Sequence, residues 1–484
     1  MTKRRRYLRY IAPTVVTLLV GLAIAPQLST WSNGAVFAHD TFSYQAMAVN
    51  ALYGHGFLRR GGMEEDFSVY GWDYDHGFEK QRISEFYEVA GVYGDINVPV
   101  YPALLTGVYA VFGVNPLAVK WLQAAGYLAI GFLLPFVGAW IWGRSGYLAG
   151  LVAAPVFVLS NYRMSEEILT EPTIMGVLFI WLLVALGYEA KRSTPRVIAL
   201  GLMTGVCLLT KGNLAFLAPL TALWLAWQAW HAKQLRHWLQ TGLFCACVLA
   251  VVAPWSAYTS RQIGRFTLLS QQTLDVLNWN NEFNYDGSWH PYWQEIPEAY
   301  YNHDGLEGRS PFLRVAGFYA HQPRHLAQLL WKLRTQYAGL PSLAVAACAA
   351  FLLMTRGLLR SRVATVHPAF DVTAMLVALG VCIVGALALT DHAYDTVLVI
   401  PYLLCLAMLI PFRRQLRVQI PISMVIILVN FVLITLLAGW IDSPYFRSRH
   451  ARPGDFVYVL LASVLLLRYG SRLLRRPFPV RQRL

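Results

Sequence analysis

An all-helical, polytopic membrane fold is what this sequence predicts, and three observations predict it. The 484 residues are 56% hydrophobic and only 14% charged, with a mean hydropathy of +0.44. A soluble domain carries roughly 25% charged residues, so the bilayer is the natural solvent for this chain. Apolar runs long enough to cross a hydrocarbon core of ~30 Å recur from end to end. Between them the basic and acidic residues alternate by loop, the pattern that sets membrane orientation. The net charge of +14 therefore reads as orientation signal and not as a nucleic-acid surface.

The candidate spans are 8–28, 116–142, 146–163, 171–188, 196–211, 213–230, 238–258, 332–354, 369–390, 393–411, 418–440 and 455–469. That is about 12 helices, within a range of about 11 to 13, because several runs are short or abut a neighbour. With Lys3 to Arg9 inside, alternation also puts Arg144, Lys191 to Arg196, Lys233 to His237, Arg356 to Arg362, Arg413 to Arg417 and Arg468 to Arg483 inside. The opposite side collects Asp40 to Asp95, Glu166 to Glu171, Asp275 to Glu307, Asp391, Asp395, Asp442 and Asp455. A wrong span count would scramble this segregation. The organisation expected is a first span (1–30), a first outer loop (31–115), spans two to seven (116–258), a second outer loop (259–331), spans eight to twelve (332–469) and a basic inner tail (470–484). Both termini are expected to face the cytoplasm. The two loops are too long to be connectors and include amphipathic stretches, Thr41 to Leu52 and Val100 to Phe112, suited to the membrane surface. The six cysteines all lie inside apolar runs and read as packing residues.

Several polar groups at span ends carry possible chemistry, each with a plainer structural reading. Asp40 follows the first span and precedes an interfacial helix. It is a general base or metal ligand at the lipid–water boundary, or simply an N-cap. Pro99, Tyr101 and Pro102 open a helix, as proline does in a first turn. Glu171, beside Pro172, is a carboxylate at membrane depth or the cap of the fourth span. Lys211 interrupts two apolar runs; it suits a lipid phosphate, or it snorkels to the interface. Trp255, Arg261, Asn280, Asn281, Trp289 and His290 suit sugar binding by stacking and hydrogen bonds, or form an aromatic belt. Asp391, His392, Tyr394 and Asp395 make a short outer turn that is polar by solvation or by function.

The order of these signals resembles the family 39-like, type C glycosyltransferases, a group that includes protein O-mannosyltransferases and lipid A aminoarabinose transferases. The matching positions are Asp40, Tyr44 and Ala48; Pro99, Tyr101 and Pro102 through Phe112 and Gly113; and Leu169 to Pro172. They continue with Gly201, Gly205 and Leu209 to Gly212; Pro254, Trp255 and Arg261; and Asn280, Asn281, Gly287 and Trp289. The resemblance covers about residues 1–340 by motif and the remainder by topology. Two departures stand out. His39 precedes the Asp where many members have a second acid after it, and His392-Ala393-Tyr394 stands where an Arg-Tyr pair is common.

The resemblance implies the type C glycosyltransferase fold and an inverting transfer of a sugar from a polyprenyl-phosphate donor. The acceptor, on the outer face, would be an envelope glycan, a lipid or a protein; the bilayer is a partner and nucleic acid is not. Asp40 and Glu171 would be the catalytic carboxylates, and Lys211 and Arg261 would hold the donor phosphate. His39, Tyr44, Tyr101, Asn280, Asn281, Trp289, His392 and Tyr394 would line the substrate. The resemblance leaves metal dependence open: some relatives use a divalent ion and others do not, and Asp40, Glu171 and His290 are the residues that would hold one. A polytopic transporter and a polyprenyl-lipid-dependent glycan ligase or polymerase are the competing readings. A transporter would put ionisable groups near the midplane and show repeat symmetry.

Overall fold

The computed structural model describes residues 3–31, 41–54, 56–57, 72–73, 77–78, 97–165, 168, 170–263, 266–269, 414, 417–438 and 452–475. The expected spans 332–354, 369–390 and 393–411, most of the second outer loop and the basic tail beyond residue 475 lie outside them. Among the described residues the helices are α1 (Lys3–Leu28), α2 (Thr41–Leu52), α3 (Val100–Phe112), α4 (Pro116–Asn161) and α5 (Glu171–Ala190). They continue as α6 (Thr194–Leu208), α7 (Leu217–Ala232), α8 (Leu235–Ile263), α9 (Ile422–Ala438) and α10 (Asp455–Arg475). Their only β structure is the antiparallel pair β1 (Trp72–Asp73) and β2 (Gly77–Phe78), within the first loop.

The chain is an all-α polytopic membrane protein. Four stretches, Tyr10–Leu28, Pro116–Asn161, Glu171–Ala190 and Leu235–Arg261, are long and apolar enough to cross a bilayer. Their outward faces are apolar: Leu18, Leu22, Trp140, Leu148, Val152, Ile180 and Leu249 are all exposed. Such a surface is tolerated in lipid and is an aggregation liability in water. At 12 and 13 residues, α2 and α3 are each about 20 Å long and too short to cross.

The candidate spans at 116–142 and 146–163 are the two arms of α4. Gly143, with φ 64° and ψ −140°, breaks the helix between them. A side chain is rarely tolerated at that φ, so glycine sets where the chain reverses. The arms then pack backbone against backbone: a Cβ on Gly146 would stand 1.8 Å from the Gly138 carbonyl oxygen, and one on Gly150 would stand 2.3 Å from the Pro135 Cα. The G-x-x-x-G stretch works in the same way between α6 and α8. A Cβ at Gly201 would meet the Cys247 Cβ at 2.7 Å and the Phe244 carbonyl at 2.8 Å; at Gly205 it would meet the Val251 Cβ at 2.6 Å. In lipid no water is released when helices meet, so close backbone approach through small residues supplies much of the attraction.

Polar contacts tie the two ends of the bundle. At one end Trp142 Nε1 donates to the Gln419 carbonyl (2.6 Å), and Arg468 reaches Ser145 Oγ (2.9 and 3.1 Å) and the Arg417 carbonyl (2.9 Å). The Ser423 N–H of α9 donates to Glu189 Oε1 at the end of α5 (2.8 Å), a carboxylate at a helix N-terminus. Arg417 and Arg468, both assigned to one side by charge, thus meet at one end, beside the turn that follows Arg144. At the other end Tyr162 donates to Gln27 of α1, and the sequence motifs converge. Gly146→Ala must push the two arms of α4 apart. Overpacking of this kind costs about 1–3 kcal/mol, so a lowered melting midpoint in detergent, with reduced membrane abundance, is the expected outcome.

Candidate functional site

Helix α5 begins at Glu171, with Pro172 in its first turn and Thr170 in the cap position. Glu171 was expected to be the cap; instead it is the first helical residue, and its carboxylate is fully buried. Proline at this point removes an N–H that would have no helical acceptor, and fixes where the helix starts. The preceding segment is bent sharply. Ile168 has φ 50°, the left-handed region, where a β-branched residue carries strain of about 1–3 kcal/mol. Its carbonyl accepts the Tyr101 hydroxyl at 2.5 Å, and Gln123 Nε2 donates to that same hydroxyl oxygen at 3.1 Å. Tyr101 is thereby a brace between α3, α4 and the segment leading into Glu171, and not an open substrate contact.

Lys211 leaves the end of α6 in an extended conformation. It does not snorkel: only 7% of it is exposed. Its ammonium donates to Thr170 Oγ1 at 2.9 Å and pairs with Glu171 Oε1 at 3.7 Å, while Thr170 Oγ1 reaches Glu171 Oε2 at 3.4 Å. Tyr44 of α2 lies beneath the same ammonium, with its ring centre 5.7 Å away, and meets Tyr101 edge to face at 5.3 Å. A cation over an aromatic face is attracted by the ring quadrupole, most strongly where water is excluded. The Val100 N–H of α3 donates to the Leu209 carbonyl at 3.0 Å, which locks the P-x-Y-P helix to the segment carrying Lys211. Four residues chosen from sequence, Tyr44, Tyr101, Glu171 and Lys211, therefore share one site.

The site is buried within the protein: Glu171 and Lys211 are both enclosed. Helices α6 and α7 have 15 and 16 residues, each about 23 Å long, against a hydrocarbon core of ~30 Å. Both are shorter than that core, and the ion pair at their shared turn is held among protein side chains. Behind it the Tyr109 hydroxyl donates to Gln45 Oε1 (3.2 Å), and burial raises its pKa, so it stays a donor. Thr106 Oγ1 donates to the Ala48 carbonyl (3.2 Å), completing the seam between α2 and α3.

Other expected residues fall elsewhere. Arg261, in the last turn of α8, is exposed, and no ion pair or hydrogen bond joins it to this cluster among the described residues. Trp255 was open to reading as a belt anchor. It is buried instead, with its indole N–H on the Leu269 carbonyl (2.7 Å), stacked on Tyr258 and edge-on to Phe57 of the first loop. His39, Asp40, Asn280, Asn281, Trp289, His290, His392 and Tyr394 lie outside the described residues.

Among the described residues no group of three His, Cys, Asp or Glu side chains is placed to hold a metal. Asp40 and His290, the other two residues expected to hold a metal, lie outside the described residues, and Glu171 Oε1 faces the Lys211 ammonium. Sequence reading gave no role to Thr170 and Tyr109, although both lie inside its motifs, and did not single out Gln123 or Gln45. Gln123 had a signal, because with Lys120 it places two polar groups one turn apart on an otherwise apolar helix start.

No family model matches the sequence, and no curated protein matches it. Two solved structures are similar. One is ArnT from Cupriavidus metallidurans in the apo state, 14% identical, over 95% of this chain and 78% of that one, with a TM-score of 0.37. The other is the same protein bound to undecaprenyl phosphate, 13% identical, over 97% and 79%, with a TM-score of 0.38. At TM-scores below 0.5 this likeness does not carry the assignment of fold, which rests on the helices themselves.

Two outcomes follow from the pairing. Lys211→Met leaves Glu171 buried without its ammonium, and breaking a buried pair costs about 3–5 kcal/mol. The expected result is a strong loss of folded protein in membranes, with part of it recovered in the Lys211→Met/Glu171→Gln double variant. Tyr101→Phe removes the hydroxyl from Ile168 and should cost about 0.5–1.5 kcal/mol in thermal unfolding, with no loss of membrane insertion.

Proposed function

We propose that this protein is a membrane glycosyltransferase that moves a sugar from a polyprenyl-phosphate donor to an acceptor at the outer face of a bacterial inner membrane. The observation that carries the reading is the buried Lys211–Glu171 pair walled by Tyr44. Tyr44 lies four positions after Asp40 on the helix that opens at Thr41. The order of motifs around it, which resembles the family 39-like enzymes, supports the same reading.

In this mechanism the acceptor hydroxyl attacks the anomeric carbon from the side opposite the phosphate. The new carbon–oxygen bond forms as the bond to the phosphate oxygen breaks, and the configuration inverts. Asp40 takes the hydroxyl proton as general base. The transition state has oxocarbenium character, as in glycoside hydrolysis. Charge grows on the departing polyprenyl phosphate, and in this reading the Lys211 ammonium stabilises it. In the resting protein Glu171 and Thr170 hold that ammonium, so the donor phosphate finds it already oriented. Arg261, at the exit of α8, is the second cation and approaches from the loop side. Glu171 thus acts first by fixing Lys211, and it is a candidate for orienting the acceptor. The sugar and acceptor are chosen on the outer side, where Asn280, Asn281 and Trp289 of the second outer loop and His392 and Tyr394 of the short outer turn suit a carbohydrate.

Purified protein in proteoliposomes, supplied with radiolabelled polyprenyl-phosphate sugars and envelope acceptor fractions, tests this directly. A general base contributes about 10²–10⁴ to rate, so Asp40→Asn should reduce transfer by at least about a hundredfold while membrane level is unchanged. Wild-type-like transfer by that variant would sink the mechanism.

A further inference from the structure

Helix α9 reads ISMVIILVNFVLITLLA, apolar but for Ser423, Asn430 and Thr435. Asn430 is fully buried. An asparagine inside an apolar helix stays only where another polar group meets it, because hydrocarbon offers nothing to its amide. Here the meeting group is main chain: Asn430 Nδ2 donates to the Asn213 carbonyl at 2.9 Å. Asn213 is the middle residue of the 3-10 turn Gly212–Leu214, which begins immediately after Lys211.

The two sides of Lys211 are anchored differently. Upstream, the Leu209 N–H donates to the Gly205 carbonyl (3.1 Å) and Thr210 Oγ1 donates to the Val206 carbonyl (2.7 Å), so α6 holds its own end. Downstream, the turn closes on itself through Leu214 N–H to Lys211 O (3.1 Å) and Ala215 N–H to Gly212 O (3.0 Å). The contact from Asn430 fixes that turn to another part of the bundle. Helix α9 is itself tied to α5 by the Ser423 N–H on Glu189, and α5 is the helix whose first residue is Glu171. Ser423 and Asn430 are seven residues apart, about 10 Å along the axis. One rigid helix therefore sets the spacing between the helix of the carboxylate and the turn of the ammonium.

We propose that Asn430 is a positioning residue, holding the Gly212–Leu214 turn so that the Lys211 ammonium stays seated on Thr170 and Glu171. The positional claim stands on these contacts; its bearing on donor turnover rests on the glycosyl transfer reading above. Acylation of lysines in the full-length protein with an N-hydroxysuccinimide ester, read by mass spectrometry, separates the two. In wild type, Lys211 and Lys120 are buried and react slowly, while Lys191 and Lys233 are exposed and react fast. Asn430→Leu should raise Lys211 reactivity several-fold and leave Lys120, Lys191 and Lys233 unchanged, and Asn430→Gln, which keeps an amide donor, should return much of the protection. Unchanged Lys211 labelling in Asn430→Leu overturns the proposal, and so does a parallel rise at Lys120, which marks general loosening. Where Asn430→Leu does not insert, Asn430→Ser is read by the same two outcomes. In the transfer assay, Asn430→Leu should lower kcat/KM for the donor as Lys211 becomes reactive, with Asn430→Gln restoring both. Full kcat/KM alongside a reactive Lys211 rejects the link to turnover. If wild type transfers no sugar, the glycosyl transfer reading fails and the labelling alone decides the role of Asn430.

Discussion

Two opposite charges taken out of water must find in each other, and in nearby dipoles, what hydration gave them. The Lys211–Glu171 pair meets this demand inside the protein, and much of the local architecture is what keeps it met. Thr170 bridges the ammonium and the carboxylate, Tyr44 offers its ring face, and Tyr101 fixes the bend that delivers Glu171. Loss of geometry at any of these points leaves a charge stranded in a medium that stabilises it poorly. The site is therefore a place where helix packing and electrostatics are coupled.

That coupling explains the glycines. A pair at 3.7 Å tolerates little drift between α5 and the end of α6. Helix packing in lipid must supply rigidity without a hydrophobic driving force. Gly201 and Gly205 bring α6 against α8, and Gly138, Gly146 and Gly150 bring the arms of α4 together, leaving interfaces with no room for a methyl group. The strain at Ile168 fits the same logic, since a left-handed β-branched residue persists only where surrounding contacts over-determine it.

How far the sequence could be read depended on whether a signal was local. Span positions followed from composition and charge, and α1, α4 to α8, α9 and α10 fall where the apolar runs are. Proline at 172 fixed the start of α5 to within one residue, because that effect acts through the backbone of a single turn. Tyr44, Tyr101, Glu171 and Lys211 were each weak in isolation. Their convergence was suggested by motif order, which carries spatial information that no single residue does. Trp255 was ambiguous because the side of a helix that faces lipid depends on its neighbours. Asn430 and Glu189 were not legible as parts of a network, and Gln123, a visible polar break in an apolar helix start, gave no sign of its partner. Their partners are main-chain atoms or side chains at sequence separations of 217, 234 and 22 residues, which no periodicity encodes.

By itself, then, the sequence determined the solvent of the fold and, among the described residues, the helices and the breaks between them, because hydropathy, charge and the backbone chemistry of proline and glycine act over a few residues. Only the tertiary structure decided that Lys211 is buried and paired instead of snorkelling, that Tyr101 braces a bend, and that a C-terminal helix reaches back to the turn beside the ammonium. Those outcomes depend on which faces of distant helices meet, and the energies that choose among them belong to the assembled bundle.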